Sequence, residues 1–557
     1  MNKNILVIII FITAILVIML FGIAEEKRRK AALLKKIRKN YGKRLKIRED
    51  NKRMEIISGY YKRHISDSIV DDITYYDLDM DILYNLMDYS MSEAGEEYLY
   101  YMLRTSLSGE RDSFEEDVRF LTDNNDIRED ICLIASRIGH NKRYSMYDYI
   151  DKCSNNKENC SNLRHYAGLL ALVLSIAMLF VKTGIGLIAL VIVLSYQIIT
   201  YFSVKSRILP YVNSFEYIMR LYNAVNKLGK YKDKGFAKSK LASGEQAVSG
   251  LKSFAGKAPF VFASSRSSGS VLAAVRDYFN IIVHLDLIMF NRMMHTINDN
   301  IGYIDELVGT FGYIEAAISI GSFRTAYKYY CIPVFGEEIS AKNIYHPYIE
   351  KPVKNSFELK RPMLVTGSNA SGKSTFLKTV ALNMIMARSI NTCLADEFKC
   401  NYCDIYSSMS LKDNLVRGDS YYMAEIKAIK RIIDNSKERK VMCFVDEVLS
   451  GTNTVERIAA STEILKYFNK IGVICVAATH DIELTTLLEN EYENYHFEEN
   501  ITDGDIHFAY KLLYGKATSR NAISLLKCMG YSDDIVENAR LMADNFVESG
   551  IWKDIKA

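Results

Sequence analysis

The sequence is poor in proline, tryptophan and net charge. Six prolines and one tryptophan occur in 557 residues. So few prolines exclude a chain built on polyproline segments and suit one built on long helices. The 71 Lys+Arg against 67 Asp+Glu leave a net charge of +4. Bulk electrostatics therefore neither select nor exclude a nucleic-acid partner. Ten cysteines are scattered, and only Cys400 and Cys403 have paired spacing. One C-x-x-C supplies half a zinc site, and the pattern excludes a disulfide scaffold. The thiols read as reduced ones in a cytosolic setting. There is no internal repeat and no low-complexity tract.

What the sequence does have is apolar length. From Asn4 to Ala24 it reads NILVIIIFITAILVIMLFGIA without a charge. At 1.5 Å per residue that is enough for one helix to cross a bilayer. The basic cluster follows the run instead of preceding it, which favours an uncleaved anchor over a signal peptide. A second apolar block, Tyr166 to Val204, is broken only by Lys182-Thr183-Gly184. It suits two spans joined by a turn, since a buried hairpin of core helices would carry a polar face. Residues 25–50 hold twelve Lys/Arg, from Lys27 to Arg48, against four acids. Such a run can grip nucleic-acid phosphates or anionic lipid headgroups, and beside a span the lipid and topology reading is the simpler. The positive-inside tendency puts it in the cytoplasm. The expectation is a cell-membrane protein with about three spans, both soluble regions cytoplasmic and the lipid bilayer as a partner.

Along the chain this gives an anchor at 1–24, a basic juxtamembrane segment at 25–64 and a helical region at 65–160. A transmembrane hairpin follows at 161–204, then a helical region at 205–340. Within the latter, residues 237–270 are rich in Ser, Gly, Ala and Lys, and read as a flexible insertion. From about 341 to 557 the texture changes. Short apolar runs at 363–367, 441–447 and 473–480 alternate with helical stretches, the pattern of a mainly parallel sheet. The fold class expected is an α-helical N-terminal half with transmembrane helices, followed by an α/β P-loop NTPase domain.

The first of those strands ends in Gly367-Ser368-Asn369-Ala370-Ser371-Gly372-Lys373-Ser374-Thr375, with a helix after it. This is G-x-x-x-x-G-K-[ST] between strand and helix. Its backbone N–H groups cradle phosphates, Lys373 reaches the β- and γ-phosphates of ATP, and Ser374 ligates Mg²⁺. The second strand delivers Asp446 for the hydrated metal and Glu447 to orient or deprotonate the attacking water. The third ends in Thr479-His480, where an imidazole meets the γ-phosphate. Base contacts are unassigned, and the stretch Tyr348 to Phe357 is their expected source.

These motifs and three more resemble the MutS ATPase domain over about residues 320–545. The loop GSNASGKST is similar to the family's GPNMGGKST type, with Asn369 in the matching place. Asn414 to Glu425, with Gly418, Ser420, Met423 and Glu425, looks like the MutS signature loop. Gly451-Thr452-Asn453-Thr454 is similar to its G-T-S-T segment, and FAYKLLYGKATSRNAISLLKCMGYSDDIVENAR resembles its closing stretch. The resemblance implies an ABC/MutS-type fold and ATP with Mg²⁺. It also implies a head-to-tail homodimer in which Ser420 approaches the γ-phosphate bound by the partner, and mismatched or structured DNA as a ligand. The first span and basic segment lead straight into the helical region, leaving no room for a mismatch-reading domain with its Phe-x-Glu motif. An ABC-type transport ATPase and an ATP-gated membrane scaffold that binds no DNA are the alternatives. Arg417-Gly-Asp-Ser in place of Leu-Ser-Gly-Gly-Gln counts against the first, and an intact Glu447 against the second.

Overall fold

The computed structural model of the chain describes residues 3–47, 51–65, 69–107, 109–140, 145–155, 161–266, 271–327, 329–368, 371–409, 421–502, 505–517, 523, 526–527, 529–550 and 552. Two compact units are formed. One comprises Met1–Ile65, Leu86–Tyr101 and Glu110–Ala326; the other comprises Ser66–Asn85, Met102–Gly109 and Tyr327–Ala557.

The first unit is helical. Its longest elements are Lys3–Asn40, in which the apolar run and the basic run as far as Lys39 form one helix, and Thr183–Leu228. Leu163–Val181 pairs with the start of the latter. Among the described residues, Leu163–Val181 and Thr183–Leu209 are the two helices long and apolar enough to cross a membrane. Gly186 allows the close turn between them, since a Cβ there would meet the Leu179 backbone N at 2.6 Å. Exposed Leu170, Phe180, Ile188 and Ile199 cover the outside of the pair.

The core of this unit is the helix Ile301–Ala326, buried without interruption from Leu307 to Arg324. Several ionisable groups on and beside it are paired or hydrogen-bonded. Arg324 grips Glu115 through two bonds of 3.0 and 2.8 Å, and Asp117 accepts from Tyr313 Oη at 2.7 Å and from the Ala237 amide at 2.7 Å. Residues 237–270 differ from the flexible insertion expected of them. They form the helices Lys238–Gly250 and Lys252–Arg266, with 267–270 outside the described residues. Leu241, Ala247, Leu251 and Phe254 are buried at helical spacing. The small residues are there for close packing, because a Cβ on Gly244 would lie 2.8 Å from the Thr310 methyl.

Among the described residues the second unit carries ten strands: β1 (Val334–Phe335), β2 (Ile339–Ile344), β3 (Asn355–Leu359), β4 (Met363–Thr366), β5 (Glu397–Cys400), β6 (Asp404–Ser408), β7 (Val441–Asp446), β8 (Ile474–Thr479), β9 (Glu493–Thr502) and β10 (Asp505–Tyr514). The main sheet has the order β10-β9-β4-β8-β7-β6, parallel except for β10. A small sheet, β1-β5-β2-β3, accompanies it. Strands β4, β7 and β8 are apolar up to their last residue, as strands buried on both sheet faces are. Val441, Cys443, Cys475, Leu465, Phe468 and Tyr492 form the core on one face.

The unit starts at Tyr327 instead of 341, and it takes in residues 66–85 and 102–109, which were expected in the helical region. The physical reason is sheet pairing. Val70 bridges Ile405 in parallel, and the Ile405 amide donates to Ile69 O at 3.1 Å, so residues 69–70 cover the outer edge of β6. The short helix Asp72–Asp77, capped by Asp71 on the Thr74 amide at 2.9 Å, follows at once.

Candidate nucleotide site

Strand register assembles the site. Thr366 of β4 lies opposite Thr479 of β8, and Asp446 of β7 lies opposite Ala478. Three adjacent strands thus end at one level, and Gly367, Glu447 and His480 leave from one edge of the sheet. In open parallel sheets that carboxyl edge is where ligands are bound.

Gly367 has φ +149°, and a Cβ on it would lie 2.8 Å from Ser371 Oγ and 2.9 Å from Phe497 O, so only glycine fits. Gly372, at φ +106°, precedes the helix Lys373–Ile390, whose N-terminus faces the loop. Lys373 is buried, and its Nζ donates to Gly367 O at 2.8 Å and Ser368 O at 2.9 Å. It also lies 3.3 Å from His480 Nδ1. The other imidazole nitrogen, Nε2, is 2.5 Å from Glu447 Oε1. The imidazole thus stands between Lys373 and Glu447, hydrogen-bonded to the carboxylate through Nε2. That bond is the main cause holding the Glu447 carboxylate below its ordinary range.

Glu447 itself has φ +57°, a left-handed conformation costly for a residue with a side chain, and its amide donates to Ala478 O at 3.0 Å. Asp446 behaves differently. Burial pushes its carboxyl up, opposed chiefly by a hydrogen bond from Ser374. Its Oδ1 is buried with no hydrogen-bond partner, and so is Ser371 Oγ. A buried acceptor left unpaired beside a hydroxyl is costly unless something polar meets it. A hydrated divalent cation between Ser374 and Asp446 fits that pair.

A cavity of about 480 Å³ opens beside this edge. One wall is Lys373, Thr375, Glu447 and His480; the other includes Ile349 and Tyr510. Part of the stretch expected to meet the base lines it: Ile349, Lys351, Pro352, Val353 and Asn355. Tyr510 was not foreseen. It sits at a register shift between Phe508 and Leu512 with φ +51°, held by Asn355 Nδ2 donating to its carbonyl at 3.0 Å. Nothing local in the sequence marks it. Arg457 was also missed: it grips Asp481, next to His480, at 2.9 and 2.6 Å. Its helix starts at Asn453, whose side chain accepts from the Glu456 amide at 3.0 Å. That Asn453-x-x-Glu456 cap was legible in the sequence. Asn369, Ala370 and the signature segment with Arg417, Gly418 and Ser420 lie outside the described residues.

The family described as MutS domain V matches residues 363–547. Over this stretch the chain is similar to the MutS family. Three similar relatives carry the name DNA mismatch repair protein MutS. That of Thermus thermophilus is 29% identical over 218 residues, 38% of this chain and 27% of the relative. That of Caldicellulosiruptor saccharolyticus is 28% identical over 287 residues, 48% of this chain and 33% of the relative. That of Halothermothrix orenii is 30% identical over 210 residues, 35% and 23% of the respective chains. The match therefore spans about a quarter to a third of the length of these MutS proteins. The phosphate loop, Asp446, Glu447 and His480 all fall inside the stretch assigned to MutS domain V.

Proposed function

We propose that this chain is an ATPase of the MutS type, anchored in a membrane, that works as a homodimer with DNA as its partner. The observation that carries the ATPase reading is the convergence of Lys373, Ser374, Glu447 and His480 on one cavity, with Oδ1 of the adjoining Asp446 buried and unpaired. In this reading Gly367 to Thr375, Asn369 and Ala370 included, hold the phosphates of ATP, and Ser374 and Asp446 hold Mg²⁺. The ion supplies charge neutralisation at the β- and γ-phosphates. Glu447 takes the proton of the attacking water, and its lowered pKa keeps it ionised and ready to accept. His480 orients that carboxylate through Nε2 and keeps Nδ1 toward Lys373, so the imidazole links the base to the phosphate-binding ammonium. Ser420 serves the partner's nucleotide.

Membrane anchoring is supported by the two exposed apolar helices, by the anchor-like run Asn4–Ala24 and by the basic residues after it. This arrangement leaves the ATPase unit on the cytoplasmic side. DNA as partner is supported by the names of the relatives. The test is ATP turnover by the full chain in nanodiscs, with and without duplex, mismatched and branched DNA. Glu447→Gln should still bind ATP and lose turnover. DNA-stimulated turnover with salt-sensitive binding is expected. Turnover indifferent to every DNA would overturn the DNA part and favour a membrane-coupled ATPase. No turnover at all would overturn the ATPase reading.

A further inference from the structure

A set of polar side chains is buried where the apolar hairpin meets the rest of the helical unit. His284, at φ +56°, joins the helices Val271–Val283 and Leu285–Asp299. Its Nδ1 lies 2.9 Å from His165 Nδ1, and its Nε2 lies 3.0 Å from Gln197 O. Two residues on, Asp286 accepts from Tyr201 Oη at 3.1 Å and from Lys205 Nζ at 2.5 Å. His165 belongs to the first hairpin helix, and Gln197, Tyr201 and Lys205 belong to the second. The junction 284–286 is therefore fixed against the hairpin itself, with His284 level with Gln197.

That level lies within the apolar band. Tyr196, Ile198 and Ile199, beside Gln197 on the same helix, are all exposed. Gln197 is about 21 Å from Thr183 at 1.5 Å per residue, and a hydrocarbon core is about 30 Å thick. In a hairpin that spans with its turn at the outer surface, His284 sits about 9 Å inside the cytoplasmic boundary. Polar groups persist at such depth when they are paired with one another, as His284 and Asp286 are.

The helix that leads to His284 turns an apolar stripe outward. Val275 is 61% exposed, Tyr278 70% and Phe279 51%, at the i, i+3, i+4 spacing of one helical face, while Asn280 is buried. The helix packs on the second hairpin helix, on which Phe202 and Leu209 are exposed as well. Its 13 residues span about 20 Å, too short to cross a bilayer. Helices that lie in the interface bury their apolar face about 5–10 Å into the headgroup–acyl boundary, which matches the depth of His284. Aromatic rings such as Tyr278 and Phe279 are favoured at that level.

We propose that Val271–Val283 is an interfacial membrane helix whose Val275, Tyr278 and Phe279 face the lipid acyl chains of the cytoplasmic leaflet. The proposal rests on the membrane reading above. It gives the helical unit a hold on the bilayer that is separate in sequence from the hairpin. Through Leu285–Asp299 the chain passes from that hold to the buried helix Ile301–Ala326.

The test uses the full chain in nanodiscs, with its one tryptophan removed as Trp552→Phe. Single tryptophans are then placed by Val275→Trp, Tyr278→Trp, Phe279→Trp and, on the hairpin, Ile199→Trp. All four sites are exposed, so the fold tolerates them. Phospholipids brominated on the upper part of the acyl chain are the probe. The three helix tryptophans should lose the same fraction of their emission as the one at Ile199. Quenching at Ile199 with none on the helix would refute the interfacial helix and leave the hairpin reading standing. Quenching confined to one of the three helix positions would overturn a lipid-facing stripe. No quenching at any of the four would overturn the membrane reading and the proposal with it.

Discussion

Glu315 sits in the middle of the buried helix Ile301–Ala326, accepting from the Met91 amide at 2.8 Å and from Ser92 Oγ. Gly95 makes room for it, since a Cβ there would lie 2.5 Å from Glu315 Oε2. Burial pushes the carboxyl up from 4.5 to about 7, against those two hydrogen bonds. A folded pKa above the unfolded one means that the folded state keeps a proton the unfolded state releases. The stabilisation is complete below about 4.5, is lost as the pH rises from there to about 7, and is constant above that. The gap of about 2.5 pH units corresponds to about 3 kcal/mol at 1.36 kcal/mol per unit. Glu315→Gln keeps the shape and an acceptor for Met91 but cannot ionise. It should match the unaltered chain at acid pH and exceed it by up to about 3 kcal/mol at pH 8. Amide exchange of Leu307 to Phe323, corrected for intrinsic rates, reads this directly. The unaltered helix should open roughly 10²-fold more readily at pH 8 than at pH 5. Equal protection of the two proteins at both pH values would refute the reasoning.

Three further expectations concern the site, the helical core and the hairpin. His480→Ala removes the main cause of the lowered Glu447 pKa, so the acid limb of the pH–turnover profile should move to higher pH; an unmoved limb would clear His480 of that role. Gly312→Ala puts a methyl 2.4 Å from Tyr98 Cβ and 2.6 Å from Ala94 O, and should cost about 1–3 kcal/mol in a denaturant melt. Ile188→Arg, on the exposed face of the hairpin, should cost about 3 kcal/mol in a membrane-insertion assay. Unimpaired insertion would count against a spanning hairpin.

The parts of the site that the sequence revealed are those with a local signature. Strands β4, β7 and β8 are continuous apolar runs because they are buried on both faces, and each ends on a residue with a chemical task. Loop glycines announce themselves where a Cβ has no space, as at Gly367. The misread stretch 237–270 is instructive in the opposite sense. Its Ser, Gly and Ala content looks like a loop, yet those residues permit close helix packing, as Gly244 against Thr310 demonstrates. Periodicity at Leu241, Ala247, Leu251 and Phe254 was the better guide. Asp77, whose carboxylate accepts from Ser407, and Tyr510 had no local signal. The partners of Asp77 lie more than three hundred residues away, and the position of Tyr510 depends on a register shift decided by the neighbouring strand.

The cover that residues 69–70 give to β6 bears on how the protein is made. The sheet cannot be closed on that side by the chain that forms it, because the covering strand is synthesised early and its partner some 330 residues later. Bringing them together costs loop-closure entropy and makes this pairing a late event in folding. Until then β6 presents unpaired backbone to any extended segment nearby, which is an invitation to aggregation. Expression of residues 341–557 alone would leave that edge permanently open. This α/β unit is therefore a domain in space but not in sequence, and its folding depends on the first hundred residues being present when β6 emerges.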